Sequence, residues 1–256
     1  MAIIIIDGNS FEDVELVLFD KDGTIIDIHH YWKSMIKIRS SLIVKRWFQD
    51  HNKKNNIENE LIEAMGVDQK TGRMKPEGPV GIKPRPFIVD VASKLVQHYG
   101  ASISSDDMEN LFKEVDQLTS QEMLPLLKLL PGVVNLLESL NKCKIPTAIV
   151  STDITSRAYA AMKTLELEHL FNEIIGGDAV INTKPQPDLA LNVIDKIKCN
   201  PDRTVVIGDH PVDIKMGESA GVGLNIGVLT GLSDSDLFEG LKCVVVPDLN
   251  SIEVKC

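Results

Sequence analysis

From residue 128 onward, short apolar runs ending on glycine, aspartate or serine alternate with segments of helical period. Pro131-Gly132 introduces Val133-Val134-Asn135-Leu136-Leu137-Glu138-Ser139-Leu140, whose apolar spacing suits a core-facing helix. Residues 145–151 predict a strand, 155–167 a helix, 173–177 the end of another strand and 187–198 a second helix. Residues 203–209 then predict a strand, 211–220 a helix and 223–228 the strand that closes the series. This alternation predicts an α/β fold, a doubly wound parallel sheet with helices on both faces. In such sheets ligands sit at the carboxyl ends of the strands.

One more strand stands upstream. Val14-Glu15-Leu16-Val17-Leu18-Phe19 heads into a core and ends on Asp20-Lys21-Asp22-Gly23-Thr24. Asp-Gly is ordinary turn chemistry, but a turn does not need so apolar a run leading in. Residues 28–127 are mostly helical in pattern, broken by a Gly/Pro-rich stretch at 72–86 that reads as a loop. The expected organisation is a core of residues 1–27 and 128–256, with a helical cap of residues 28–127 inserted after the first strand as a lid.

Composition narrows the function classes. A formal net charge of −10 argues against nucleic acid or an anionic membrane as the main partner. No apolar run approaches the roughly 18 residues of a membrane span. Ala2-Ile3-Ile4-Ile5-Ile6 is too short for a signal peptide and has no basic leader, so it is expected to add to an N-terminal strand. Cys143, Cys199, Cys243 and Cys256 are widely spaced with no CxxC pair. That spacing argues against zinc or a small disulfide framework and points to a reduced, cytoplasmic setting.

Chemistry-bearing residues gather at the strand exits: Asp20 and Asp22, Ser151 and Thr152, then Asp209 with Asp213 one helical turn on. Asn182-Thr183-Lys184-Pro185 supplies a lysine before a helix. Each has a bland explanation, such as capping for Ser151 and Thr152 or a first-turn acid for Asp213. Capping does not require them to converge on one edge of one sheet. Clustered, Asp20, Asp22, Asp209 and Asp213 would repel one another and call for a hard divalent cation, Mg²⁺ in particular. Lys184 and Ser151 would hold a transferring anionic group, which is equipment for phosphoryl transfer.

Asp20-Lys21-Asp22-Gly23-Thr24, Ser151, Lys184-Pro185 and Gly208-Asp209 with Asp213 resemble the four ordered motifs of the haloacid dehalogenase superfamily. The resemblance spans nearly the whole chain, including the helical insertion and the closing Val244-Val245-Val246-Pro247-Asp248-Leu249 segment, and is nearest to the phosphoglycolate-phosphatase-like branch. It implies a Rossmann-like core and a phosphatase of a small phosphorylated metabolite. By that resemblance Asp20 is the nucleophile, forming an aspartyl-phosphate. Asp22 protonates the leaving alcohol and later activates water. Mg²⁺ is held by Asp20, the Asp22 carbonyl, Asp209 and Asp213, while Ser151 and Lys184, with Thr152 beside them, hold the phosphoryl group. An aspartate at position 22 favours rapid hydrolysis over the threonine that cation pumps carry there. The chain departs from many relatives directly after Ser151, where they place asparagine and it has Thr152 and then Asp153, and at His210-Pro211.

The insertion adds a substrate expectation. Between His29 and Lys54 stand seven Lys or Arg against one acid, Asp50. A solvated helix face explains most of them, and an anion-attracting cap surface is the functional alternative. Tyr31 and Trp32 are expected to pack the cap core, with His29 or His30 facing substrate. Lys83 and Arg85, in the Gly/Pro-rich loop, are expected to meet a second anionic group on the substrate. Replacing either should raise KM for the physiological substrate more than for a small artificial ester. The competing readings are a phosphosugar mutase on the same core, more weakly a phosphonate hydrolase, and a non-catalytic phosphate-binding module.

Overall fold

The computed structural model describes residues 2–49, 52–80 and 82–256; Asp50 and Gly81 lie outside the described residues. The chain forms two compact units, Met1–Asp27 with Lys128–Cys256, and Ile28–Leu127.

The first unit opens with β1 (Ile3–Ile6) and β2 (Asn9–Phe11), an antiparallel hairpin turned by Asp7-Gly8. Both turn residues have positive φ, 48° and 79°, as a two-residue turn between twisted strands requires, and Asp-Gly adopts it at low cost. β3 (Leu16–Phe19) follows, buried along its whole length. The chain then builds the second unit from α1 (Ile28–Trp47), α2 (Lys54–Ala64), α3 (Arg85–His98) and α4 (Ser105–Gln121). On its return it forms α5 (Val133–Lys142), β4 (Thr147–Val150), α6 (Thr155–Thr164), β5 (Glu173–Ile175) and α7 (Asp188–Ile197). β6 (Thr204–Gly208), α8 (Pro211–Ala220), β7 (Leu224–Val228), β8 (Val244–Val246) and β9 (Glu253–Lys255) complete it.

The main sheet has the order β5-β4-β3-β6-β7-β8, and every neighbouring pair is parallel. Its central strands read as unbroken apolar runs because helices shield both faces. Leu189, Ala190, Val193 and Ile194 of α7 show the matching helical stripe, packed with Leu16, Leu18, Ala148, Val150 and Val206. From β3 the chain runs outward through β4 to β5, then returns to place β6 on the other side of β3. The adjacent carboxyl ends of β3 and β6 therefore form the point where connections diverge, which opens a crevice for a ligand.

The isoleucine run does form a strand, but in a separate antiparallel sheet of order β2-β1-β9. The expectation of a reduced setting, drawn from cysteine spacing, meets a disulfide. Cys143, just past α5, is disulfide-bonded to Cys256 beyond β9, while Cys199 and Cys243 are free. The partners are 113 residues apart in sequence, and the pairing of β9 with β1 brings the C-terminal segment to α5, which spacing alone does not reveal. No helix among the described residues is long and apolar enough to cross a membrane.

In the helical unit, α1 buries Ile28, Tyr31, Trp32, Met35, Ile36, Arg39, Ser40, Ile43 and Val44, one continuous stripe. α4 begins at a capping box in which Ser104 and Asp107 satisfy each other's backbone donors. Among its described residues the Gly/Pro-rich segment carries no helix or strand up to Pro84, but α3 begins at Arg85, inside the stretch expected to be loop. Pro86 falls in the first helical turn, where its missing N–H costs nothing.

Candidate active site

Asp20 leaves β3 with its N–H donated to the Ile207 carbonyl of β6 at 2.8 Å, so the two strand ends are tied together at the crevice. The chain then turns tightly: Ile25 and Ile26 N–H both donate to the Lys21 carbonyl, and Gly23 N–H donates to Ile26. Gly23 has φ +102°, and a Cβ on it would collide with the Asp209 carboxylate. Glycine is required twice over, for the left-handed backbone and for the close approach.

Asp209 follows β6, and its carboxylate accepts the Leu232 N–H at 2.7 Å. Asp213, in the first turn of α8, accepts the His210 N–H at 3.1 Å, while His210 Nδ1 accepts the Val212 N–H at 3.3 Å. Lys184 Nζ lies 2.6 Å from Asp20 Oδ1 and 2.7 Å from Asp213 Oδ1. Oxygens of Asp20, Asp209 and Asp213 all lie within 4.8 Å of one another, and all three residues are buried. Hard oxygen donors at that density match a divalent cation such as Mg²⁺. The Asp22 carboxylate stands apart, with both oxygens 2.8 Å from Lys21 Nζ.

Electrostatics follow from this crowding. Burial pushes the Asp20 pKa up to about 6; Lys184 opposes the rise and Asp213 adds to it. Burial raises Asp209 well above the usual carboxylate range, with Asp20 and Asp213 reinforcing it. Burial also raises Asp22, against the pull of Lys21. Burial works against the charge on Lys184, but Asp20 and Asp213 outweigh it and hold the ammonium above its ordinary value. Burial lowers His210 to about 4, so at neutral pH it is an uncharged cap on α8.

Ser151 ends β4, buried, and its Oγ accepts the Asp153 N–H at 3.1 Å, leaving the hydroxyl hydrogen for another acceptor. Thr152 is half-buried beside it. Asp20, Asp22, Ser151, Lys184, Asp209 and Asp213 are thus all buried in the sheet unit, Asp20, Asp22, Ser151 and Asp209 just beyond strand ends, Lys184 in the loop before α7 and Asp213 in the first turn of α8. Lys83 and Arg85 belong to the helical unit. Lys83 is exposed. Arg85, expected to await an anionic substrate group, instead donates Nε to Glu109 at 2.9 Å and Nη1 to Asp116. Arg39 is not part of a solvated basic face either. It is buried, 4.4 Å from the Phe112 ring centre and 5.3 Å from that of Trp32, with Nη2 3.4 Å from Asp116. His29 accepts the Met74 N–H at Nδ1, and His30 Nε2 meets the Pro125 carbonyl, both inside the helical unit.

Three charged residues of the sheet unit carried no expectation: Lys21, Asp153 and Arg157. Lys21 is fully buried and joins Asp22 to Asp153, whose other oxygen faces Arg157 at 3.4 Å. Burial works against ionised Asp153, but Arg157 and Lys21 prevail and hold its carboxyl below the usual range. The one sequence signal was the Thr152-Asp153 pair, which stands directly after Ser151 where many chains of the resembled family place asparagine.

A profile of the haloacid dehalogenase-like hydrolases matches residues 81–226. A phosphorylated carbohydrates phosphatase of Thermotoga maritima is 24% identical over 237 residues, covering 92% of this chain and 95% of that one. A phosphoglycolate phosphatase of Escherichia coli is 30% identical over 116 residues, 43% of this chain and 46% of that one. In fold, the crystal structure of a β-phosphoglucomutase of Clostridium difficile superposes with a TM-score of 0.65 at 19% identity, covering 93% and 92% of the two chains. With a match across more than half its length and the parallel sheet that such enzymes share, the chain belongs to the haloacid dehalogenase-like hydrolases.

Proposed function

We propose that the chain is a Mg²⁺-dependent phosphatase of a small phosphorylated metabolite, a sugar phosphate or a phosphoglycolate-like compound, working through an aspartyl-phosphate on Asp20. The observation that carries this reading is the buried cluster of Asp20, Asp209 and Asp213 with Lys184 between two of them. Buried carboxylates so close together are costly unless a cation repays them. Asp20, Asp209 and Asp213, with the Asp22 main-chain carbonyl, would hold Mg²⁺, which when bound supplies positive charge to the transferring group.

The chain's own groups divide the remaining work. A carboxylate oxygen of Asp20 attacks phosphorus, and the bond to the leaving oxygen breaks. Asp22, two residues on, gives that oxygen its proton, then takes one from the water that attacks the aspartyl-phosphate, so both groups end as they began. The Ser151 hydroxyl and the Lys184 ammonium bind the non-bridging phosphoryl oxygens. Names of the relatives support the substrate class, one acting on phosphorylated carbohydrates and the other on phosphoglycolate.

The test is phosphate release from a panel of sugar phosphates, phosphoglycolate and p-nitrophenyl phosphate with Mg²⁺, beside Asp20→Asn and a chelator control. Turnover in wild type alone is the expected result. Isomerisation of a sugar phosphate that depends on an added bisphosphate, without phosphate release, would overturn it in favour of a mutase.

A further inference from the structure

The site contains two buried lysines, each between two aspartates. Lys184 joins Asp20 to Asp213. Lys21 joins Asp22 to Asp153, at 2.8 and 3.1 Å, with no exposure of its side chain. The reaction as proposed uses the first lysine and leaves the second without a task.

A buried ammonium needs carboxylate partners to offset its desolvation, and a long, flexible side chain does not fix its partner's geometry unaided. Asp153 supplies the second anchor. It is itself held tightly. Its Oδ1 accepts the Ile154 N–H at 2.8 Å, its carbonyl accepts the Gly177 N–H at 2.9 Å, and its N–H donates to Ser151 Oγ at 3.1 Å. Gly176 lies so close that a Cβ there would collide with the Asp153 carbonyl oxygen. Arg157, one helical turn on in α6, faces the same carboxylate at 3.4 Å. Two acids, Asp22 and Asp153, are balanced by two bases, Lys21 and Arg157, in a row that runs from the β4–α6 loop to the turn after β3. Asp22 itself lies in a turn, outside any helix or strand, and its carboxylate pairs with Lys21.

We propose that Asp153, acting through Lys21, is a positioning residue for Asp22, fixing the carboxyl in the orientation from which it passes a proton to the leaving oxygen. This rests on the reading of Asp22 as the proton carrier. Lys21 grips both Asp22 oxygens, and Asp153 sets where Lys21 Nζ stands. Asp153 touches neither phosphorus nor leaving group, so its loss should act on proton delivery and not on phosphate binding.

Leaving-group chemistry separates the two. An alkyl phosphate needs a proton at the departing oxygen, whereas p-nitrophenolate leaves without one, so acid catalysis matters for the first and little for the second. Measure kcat/KM for p-nitrophenyl phosphate and for glucose 6-phosphate or phosphoglycolate, whichever turns over, in wild type, Asp22→Asn, Asp153→Asn, Lys21→Met and the double variant Lys21→Met/Asp153→Asn. Asp153→Asn should cut the alkyl value about 10- to 100-fold, within the range an acid catalyst contributes. The aryl value should stay within about three-fold of wild type. The double variant, which removes one charge of each sign and so preserves balance if Asp153→Asn alone fails to fold, should show the same selective loss as Lys21→Met. Equal losses on both substrates in Asp153→Asn and in the double variant, beside a selective loss in Asp22→Asn, overturn the inference and leave the reading of Asp22 standing. An unselective Asp22→Asn overturns both.

Discussion

The Asp20 cluster of the sheet unit and the Asp116 cluster of the helical unit use charge in opposite ways. In the sheet unit, Asp20, Asp209 and Asp213 bring three carboxylates against one ammonium, an imbalance that a cation would correct. In the helical unit, Arg39 and Arg85 meet Asp116 and Glu109, two bases against two acids, and Arg39 also lies on aromatic rings. An unbalanced cluster stores an affinity for something absent from the chain, whereas a balanced one holds helices together. Charge count in a stretch of sequence therefore says little until partners are known, and the surplus is the informative quantity.

The largest effect that could break this contrast is on turnover. Asp20→Asn keeps the side chain's shape and removes its nucleophilic charge. Turnover of the best substrate in the panel should fall about 10⁴-fold or more, as for loss of a nucleophile elsewhere. Residual activity within ten-fold of wild type would show that the surplus carboxylates do not perform the chemistry.

Substitutions in the helical cluster should act on stability instead. Asp116→Ala takes a carboxylate from two arginines, buried Arg39 and Arg85, which Glu109 still holds, and should cost about 3 kcal/mol, the lower end of what breaking a buried pair costs. Thermal or urea unfolding reads this directly. Arg85→Ala should fall in the same class with a smaller loss, because Arg85 is partly exposed. A rise in KM confined to the phosphorylated metabolite, with unfolding unchanged, would instead return Arg85 to the substrate and break the comparison.

Most of the sheet unit was legible because its physics is local. Strands buried on both faces must be apolar throughout, as β3, β4 and β6 are, and an aspartate at such a strand's end has few explanations. The convergence of Asp20 and Asp209 follows from strand order. The small sheet was harder to read: β9 has three residues, and its pairing with β1 joins opposite ends of the sequence. The disulfide was hidden for the same reason. Lys21 stood in the Asp20–Thr24 motif with no role of its own, and only its burial between Asp22 and Asp153 distinguishes it. In the helical unit, the pattern indicated helices and placed Tyr31 and Trp32 in the core, but not Arg39 in the same buried stripe of α1. A guanidinium is buried when aromatic faces and a carboxylate are all in reach, and those come from α1 and α4 together.

The surplus charge also carries a pH signature, smaller than the other effects. Asp20 has a folded-state pKa of about 6 against an ordinary value of 3.8, so the folded state binds more protons than the unfolded state between those values. Stability then falls as pH rises through that window, and the penalty is fully present above about pH 6. Asp22 and Asp209 shift in the same direction and add the same sign. Metal-free protein should lose melting temperature from pH 5 to pH 7.5, and Asp20→Asn should flatten that fall. Mg²⁺ binds the ionised carboxylates and must displace protons at the lower pH. It should therefore raise the melting temperature by several degrees at pH 7.5 and by less at pH 5, as expected for a ligand that binds only the folded state. In Asp116→Ala the Mg²⁺ increment should keep its pH dependence, because that carboxylate belongs to the balanced cluster. An equal increment at both pH values in wild type would mean that the cation binds somewhere other than the buried carboxylates, and the contrast between the two units would lose its chemical meaning.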